Sequence, residues 1–109
     1  MRSLTIQTEV RGKDVSSVTL QFEWDERKAA INYRKHGISF NEARTVFNDP
    51  LSITIADPEH SSNEERYLDI GLSAEGGVLV VVYTERASKI RLISCRKATP
   101  KERKIYEQP

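Results

Sequence analysis

The sequence predicts an α+β fold: an antiparallel, twisted sheet with two N-terminal helices packed on one face and a short C-terminal helix. Three observations carry that expectation. Between residues 51 and 97, apolar runs of strand length recur between turn signals. Upstream, the stretch Arg34-Lys35-His36-Gly37-Ile38-Ser39-Phe40-Asn41-Glu42 closes one helix and opens another. Gly37 suits the left-handed residue that ends a helix, and Ser39 with Glu42 has the spacing of a capping box. Downstream, Thr99-Pro100-Lys101-Glu102 has a cap, a proline at the first helical position and a glutamate at the third.

The chain has 109 residues, 30% of them charged and 38% hydrophobic, which describes one globular domain with a single modest core. No apolar run reaches the roughly 20 residues of a membrane span, so no membrane partner is expected. Met1-Arg2 is followed by mixed polar residues rather than the apolar block of a secretory signal. The single cysteine, Cys95, has no partner for a disulfide and fits a reducing cytoplasm, the expected location, as a buried thiol. The net charge of +1 conceals an asymmetry. Residues 41–85 carry nine acids against two bases, whereas residues 86–104 carry eight bases against Glu102 alone. A basic C-terminal quarter is the footprint expected for a polyanion or an acidic protein partner.

Residues 1–21 show little periodicity and read as a leader of uncertain order, with a possible hairpin turn at Gly12-Lys13-Asp14; the organised domain, 22–109, begins at Phe22. Phe22-Glu23-Trp24-Asp25 reads as a short strand whose aspartate caps a helix running to about His36. The apolar face of that helix is Ala29, Ala30 and Tyr33, edged by Ile31, and Lys28, Asn32 and Lys35 share the opposite face. Asn32 is a poor choice within a helix unless something binds it. A second helix, Phe40 to Phe47, buries Phe40, Ala43, Val46 and Phe47 and stops before Pro50.

Leu51, Ile53 and Ile55 alternate with polar residues as a half-buried strand. An acidic loop spans Asp57–Glu65, and Arg66–Leu72 resumes strand character. Val78–Thr84 is apolar on both faces and is expected at the centre of the sheet. After a hairpin at Glu85–Lys89 comes Ile90–Lys97. There Arg91 and Arg96 fall on opposite faces of a regular strand, and a bulge near Ser94 is needed for them to share a site. The closing helix has only Ile105 and Tyr106 as apolar anchors.

No phosphate-binding glycine loop precedes a helix, and no serine sits in a nucleophile elbow. His36, Asp57, Glu59 and His60 match no closed zinc pattern, so no metal or cofactor is expected. The chemistry-bearing set is Lys35, His36, Glu59, His60, Glu85 and arginines 66, 86, 91 and 96. Cleaving RNA without metal needs a base for the ribose 2′-hydroxyl, cations for the crowded phosphorane and a proton for the leaving oxygen. Arginine suits the second task and histidine the first or third.

The motifs FEWD at 22–25, Lys28 and Asn32, RKHGISF at 34–40, DPEHS at 57–61, EERYLDIG at 64–71, VVVYTER at 80–86 and IRLISCRKAT at 90–99 together resemble the BrnT family of type II toxins over residues 22–106. The resemblance implies a RelE-like fold and a ribonuclease that inhibits translation. It also implies a BrnA-like ribbon-helix-helix antitoxin, a toxin–antitoxin heterotetramer, and contact with operator DNA only through the antitoxin. Matched residue by residue, the functional positions are Lys35, His36, Arg66, Glu85, Arg86, Arg91 and Arg96. In that reading Arg66, Arg91 and Arg96 hold the scissile phosphate, and Lys35, His36 or Glu85 moves protons. Glu59 and His60 match the family's acidic loop in a structural or helix-contacting role. The competing reading is a non-catalytic module that grips its antitoxin and acts with it in operon repression.

Overall fold

A computed structural model describes residues 3–10, 18–57 and 64–108. Among these, six strands form one sheet in the order β1-β2-β6-β5-β4-β3: β1 Ser3–Val10, β2 Val18–Asp25, β3 Ile53–Ala56, β4 Arg66–Leu72, β5 Val78–Arg86 and β6 Lys89–Lys97. Helix α1 spans Glu26–His36 and α2 spans Phe40–Ala43, continued by a 3-10 turn at Arg44–Asn48, and α3 spans Pro100–Glu107.

The sheet is mixed, not antiparallel throughout. From β3 to β6 every pairing is antiparallel, but β2 runs parallel to β6 through Gln21–Glu23 against Lys89–Arg91. The second strand starts at Val18, four residues before Phe22, and pairs with β1 from Val10↔Val18 to Ser3↔Asp25. This edge hairpin uses most of the stretch read as a leader, and its expected turn at 12–14 lies outside the described residues. The pairing sets Leu4 opposite Trp24, Ile6 opposite Phe22 and Thr8 opposite Leu20 in the backbone register.

Strand β5 lies inside the sheet, as its doubly apolar run requires. Leu79, Val80 and Val81 are all buried. One face of the sheet meets α1, α2 and the 3-10 turn, enclosing Phe22, Trp24, Phe40, Val46, Leu79, Val81, Leu92 and Cys95. Trp24 and Phe40 pack edge to face at 5.7 Å, and Phe47 bridges Phe22 and Tyr83 in the same manner. Gly71 lets the 3-10 turn come this close, since a Cβ there would meet Val46 at 2.8 Å and Ser52 at 2.9 Å.

Local signals set the helix ends as expected. Asp25 accepts hydrogen bonds from the Arg27 and Lys28 amides, and Gly37 closes α1 at φ +74°. Ser39 caps α2 by accepting from the Glu42 amide, but Glu42 does not complete the box. Its carboxylate instead accepts from the Ser73 hydroxyl at 2.8 Å, joining α2 to the β4–β5 turn. Of the face assigned to α1 only Ala29 packs on the core: Tyr33 is 59% exposed, Ile31 51%, and Ala30 is exposed, while Asn32 is buried. The cause is that β2 leaves β6 after three residue pairs, so α1 runs beside an open strand edge that asks for hydrogen bonds. The predicted strand at 51–55 is shorter and more exposed than its alternation suggests. It forms the outer edge, with Leu51 and Ile55 exposed.

Candidate functional site

The site begins with an irregularity in β6. Tyr83 pairs with Leu92 and Val82 with Ser94, so Ile93 is the extra residue of a β-bulge, one position before the expected Ser94. The bulge shifts side-chain alternation by one residue. Arg91 then stands beside Thr84 and Arg96 beside Val80, and Thr84 and Val80 share a face of β5. The two arginines therefore share the face turned away from the helical core, which a regular strand would forbid.

On that face one cross-strand row reads Glu23 on β2, Arg91 on β6, Thr84 on β5 and Arg66 on β4. Thr84 is 1% exposed and gives its hydroxyl to the Glu65 carbonyl at 2.6 Å, so it forms a short floor between two long cations. With strands about 4.8 Å apart, Arg66 and Arg91 rise from backbones roughly 10 Å apart. Arg86 joins them from the end of β5, where a two-residue turn holds Ala87 at φ +54°. Arg86 grips Glu64 with two bonds, 2.9 and 3.1 Å, and this pairing lowers the Glu64 carboxyl below its usual range, with Arg66 and Arg91 adding to the effect. Arg91 meets Glu23 through a single contact of 3.2 Å.

The remaining predicted residues lie elsewhere. Lys35 and His36, at the end of α1, line a groove of roughly 470 Å³ with Lys28, Ile93, Ser94 and Arg96. Arg96 also fixes the start of α3, binding both Glu102 oxygens at 2.7 and 2.9 Å. Strand alternation puts Glu85 on the opposite face, where its charge acts on Tyr67, Asp69 and Tyr83. There the Tyr83 hydroxyl donates to Asp69 at 3.0 Å. Burial raises the pKa of both groups, most strongly for the phenol. The expected single site thus divides into an arginine cluster, a basic groove and an isolated glutamate. Glu59 and His60 lie outside the described residues.

Among the described residues two carboxylates, Glu23 and Glu64, stand at the arginine cluster, and neither is among the expected site residues. Glu23 sits between two core aromatics and so must face away from the core, a signal that was present. What alternation does not reveal is the parallel pairing that sets it beside Arg91. Cys95 is the buried thiol expected: it is fully enclosed, and burial pushes its pKa up to about 12. Among the described residues no three of His, Cys, Asp and Glu are grouped to hold a metal ion, and no helix is long and apolar enough to cross a membrane.

Comparison with known proteins agrees with this architecture. The crystal structure of the Brucella abortus ribonuclease toxin BrnT superposes with a TM-score of 0.52 at 24% identity, covering 70% of this chain and 92% of that one. That likeness bears on the fold alone, an α+β arrangement shared with BrnT. No curated protein matches the sequence. The family model described as "Ribonuclease toxin, BrnT, of type II toxin-antitoxin system" matches residues 24–102, from the β2 tryptophan to the glutamate that Arg96 holds. The chain therefore belongs to the BrnT family of type II toxin–antitoxin ribonuclease toxins.

Proposed function

We propose that this chain is a metal-independent endoribonuclease that inhibits translation by cutting RNA through attack of the ribose 2′-hydroxyl, in a RelE-like fold. The observation that supports this reading most directly is the row in which Arg66 and Arg91 flank the buried Thr84. Two guanidiniums rising from either side of a small floor suit a phosphodiester, whose non-bridging oxygens gain charge as the phosphorane forms. Arg86 adds a third cation at the rim. The groove carrying Lys35, His36 and Arg96 lies farther along β6 and serves the neighbouring backbone of the RNA.

Its partner in this reading is a BrnA-like ribbon-helix-helix antitoxin that covers the basic surface of residues 86–104, forms a heterotetramer with the toxin and alone touches operator DNA. The location is the cytoplasm, where RNA and antitoxin both meet it. A second reading, a non-catalytic module that works only through its antitoxin, draws on a specific observation. Arg86, Arg91 and Arg96 each already hold a carboxylate of the chain, as arginines in a purely structural network do.

The deciding experiment incubates the antitoxin-free protein with RNA in EDTA. Cleavage leaving 2′,3′-cyclic phosphate and 5′-hydroxyl ends is expected. RNA left intact under those conditions, and also on addition of divalent ions, selects the binding module.

A further inference from the structure

We propose that Glu23 is the general base of RNA cleavage, taking the proton of the attacking 2′-hydroxyl. This rests on the reading of the arginine cluster as an endoribonuclease site.

Among the described residues the open face offers few groups able to take a proton. His36 stands on α1 in the groove, and Glu85 projects from the other face. Of the two carboxylates at the cluster among the described residues, Glu64 gives both oxygens to Arg86. Glu23 differs in a useful way. Arg91 donates to its Oε2 at 3.2 Å, whereas Oε1 has no hydrogen-bond partner among the described residues. One oxygen is anchored and the other is open, on a side chain only 16% exposed. Arg91 keeps further N–H donors beyond that one contact, so the guanidinium that aims the base also faces the phosphate. A strand holds the pair, not a loop, which keeps the geometry fixed as substrate arrives.

The step balances without a further reagent except water. Glu23 Oε1 takes the 2′-hydroxyl proton while the 2′-oxygen bonds to phosphorus. The bond from phosphorus to the 5′-oxygen breaks, and that oxygen takes a proton from water. Glu23 returns its own proton to the hydroxide so formed. The products are a 2′,3′-cyclic phosphate and a 5′-hydroxyl. Arg66 and Arg91 hold the non-bridging oxygens throughout.

The test compares wild type, Glu23→Gln, Glu23→Ala and Arg91→Ala in single-turnover cleavage of a short RNA, with melting temperature recorded for each. Binding is measured with the same oligonucleotide carrying one 2′-deoxy residue at the mapped cleavage position. Glutamine keeps the size of the side chain and a hydrogen bond to Arg91 but cannot take the proton. Glu23→Gln is expected to cut about 10²–10⁴-fold more slowly, while binding the deoxy probe within about threefold of wild type and melting at the same temperature. Arg91→Ala is expected to lose cleavage and probe affinity together. Wild-type cleavage rates in Glu23→Gln, with Arg91→Ala inactive, overturn the base assignment and leave the ribonuclease reading standing. Equal loss of binding and cleavage in Glu23→Gln also overturns it and makes Glu23 a support for Arg91. A wild-type chain that never cuts RNA overturns both.

Discussion

Asn32 pairs with the backbone of Cys95 in both directions. Its Nδ2 donates to the Cys95 carbonyl at 3.0 Å, and its Oδ1 accepts from the Cys95 amide at 3.1 Å. That is the bonding a neighbouring strand would supply, delivered by one side chain from a helix. Beyond Arg91 the β6 edge has lost β2, and an enclosed backbone with no partner would carry the full desolvation penalty. Asn32 also donates to the Ile38 carbonyl at 3.3 Å, so the same amide ties the Lys35-His36-Gly37 corner to the strand.

Replacing Asn32 should therefore cost stability out of proportion to its size. Asn32→Ala and Asn32→Leu are both expected to lower stability by about 2–3 kcal/mol, the scale for stranding buried polar groups. Leucine restores volume but not the bonds, so a packing explanation predicts that it is well tolerated. Urea midpoints at unchanged m-value measure the effect. A loss under about 0.5 kcal/mol for Leu removes the strand-mimic role.

The last helix should depend on pH. Arg96 holds the Glu102 carboxyl down to about 2, with the Thr99 amide helping against partial burial. At the other end Tyr106 gives its hydroxyl to Asp49 at 2.6 Å. Partial burial works to raise the Asp49 pKa, but bonds from the Leu72 amide, Tyr106 and the Leu51 amide outweigh it and lower the value. A carboxyl depressed in the folded state adds stability that is complete above its unfolded value, near 4.5 for Glu102, and fades as pH falls towards about 2. Both groups are substantially solvated, so each is expected to contribute no more than about 1 kcal/mol. Amide exchange in α3 should accelerate between pH 4.5 and 2.5 relative to β5. In Arg96→Ala it should be fast already at neutral pH. Exchange in α3 that follows β5 across this range removes the tether.

Helix caps, the central strand and the β4 boundaries were legible because each depends on residues adjacent in sequence. Asp25, Gly37, Ser39 and Thr99 act within four residues of their own positions, and the doubly apolar run around Leu79–Val81 marks an interior strand without reference to any partner. What could not be read depends on who sits next to whom. The burial of α1 departs from its helical periodicity beyond Ala29 because that pattern assumes an apolar surface to pack on, and β6 offers a bare backbone edge. The grouping of site residues failed for the same kind of reason. One extra residue at Ile93 decides whether Arg91 and Arg96 share a face, and alternation places Glu85 only once β5 is set in its sheet.

Association with an antitoxin should be salt-dependent. Residues 86–104 carry eight bases and one acid; Arg86, Arg91 and Arg96 are paired with Glu64, Glu23 and Glu102, and Lys89, Lys97, Lys101, Arg103 and Lys104 give the surface its remaining positive charge. An acidic partner is steered to such a surface, with screening setting in over about 10 Å at 0.1 M salt. The association rate is expected to fall by tenfold or more between about 20 and 300 mM salt, with a much smaller change in dissociation. A rate indifferent to salt places the docking surface elsewhere.

The arginines should separate into those that act and one that holds. Arg66 and Arg91 flank Thr84 on the open face, Arg91 through a single contact to Glu23, while Arg96 binds both oxygens of Glu102 and the Lys97 carbonyl and so fixes the start of α3. Arg66→Ala and Arg91→Ala are each expected to lose about 2–4 kcal/mol of transition-state stabilisation, the scale for one preorganised donor. Their melting temperatures should move little, because neither side chain belongs to the apolar core. Arg96→Ala is expected to do the reverse: the start of α3 loosens, Glu102 returns towards an ordinary carboxyl, and cleavage changes less than in the other two. Cleavage rate plotted against melting temperature for the three variants puts Arg66 and Arg91 in one quadrant and Arg96 in another. Three folded variants that all cut RNA at the wild-type rate move the reaction away from this face.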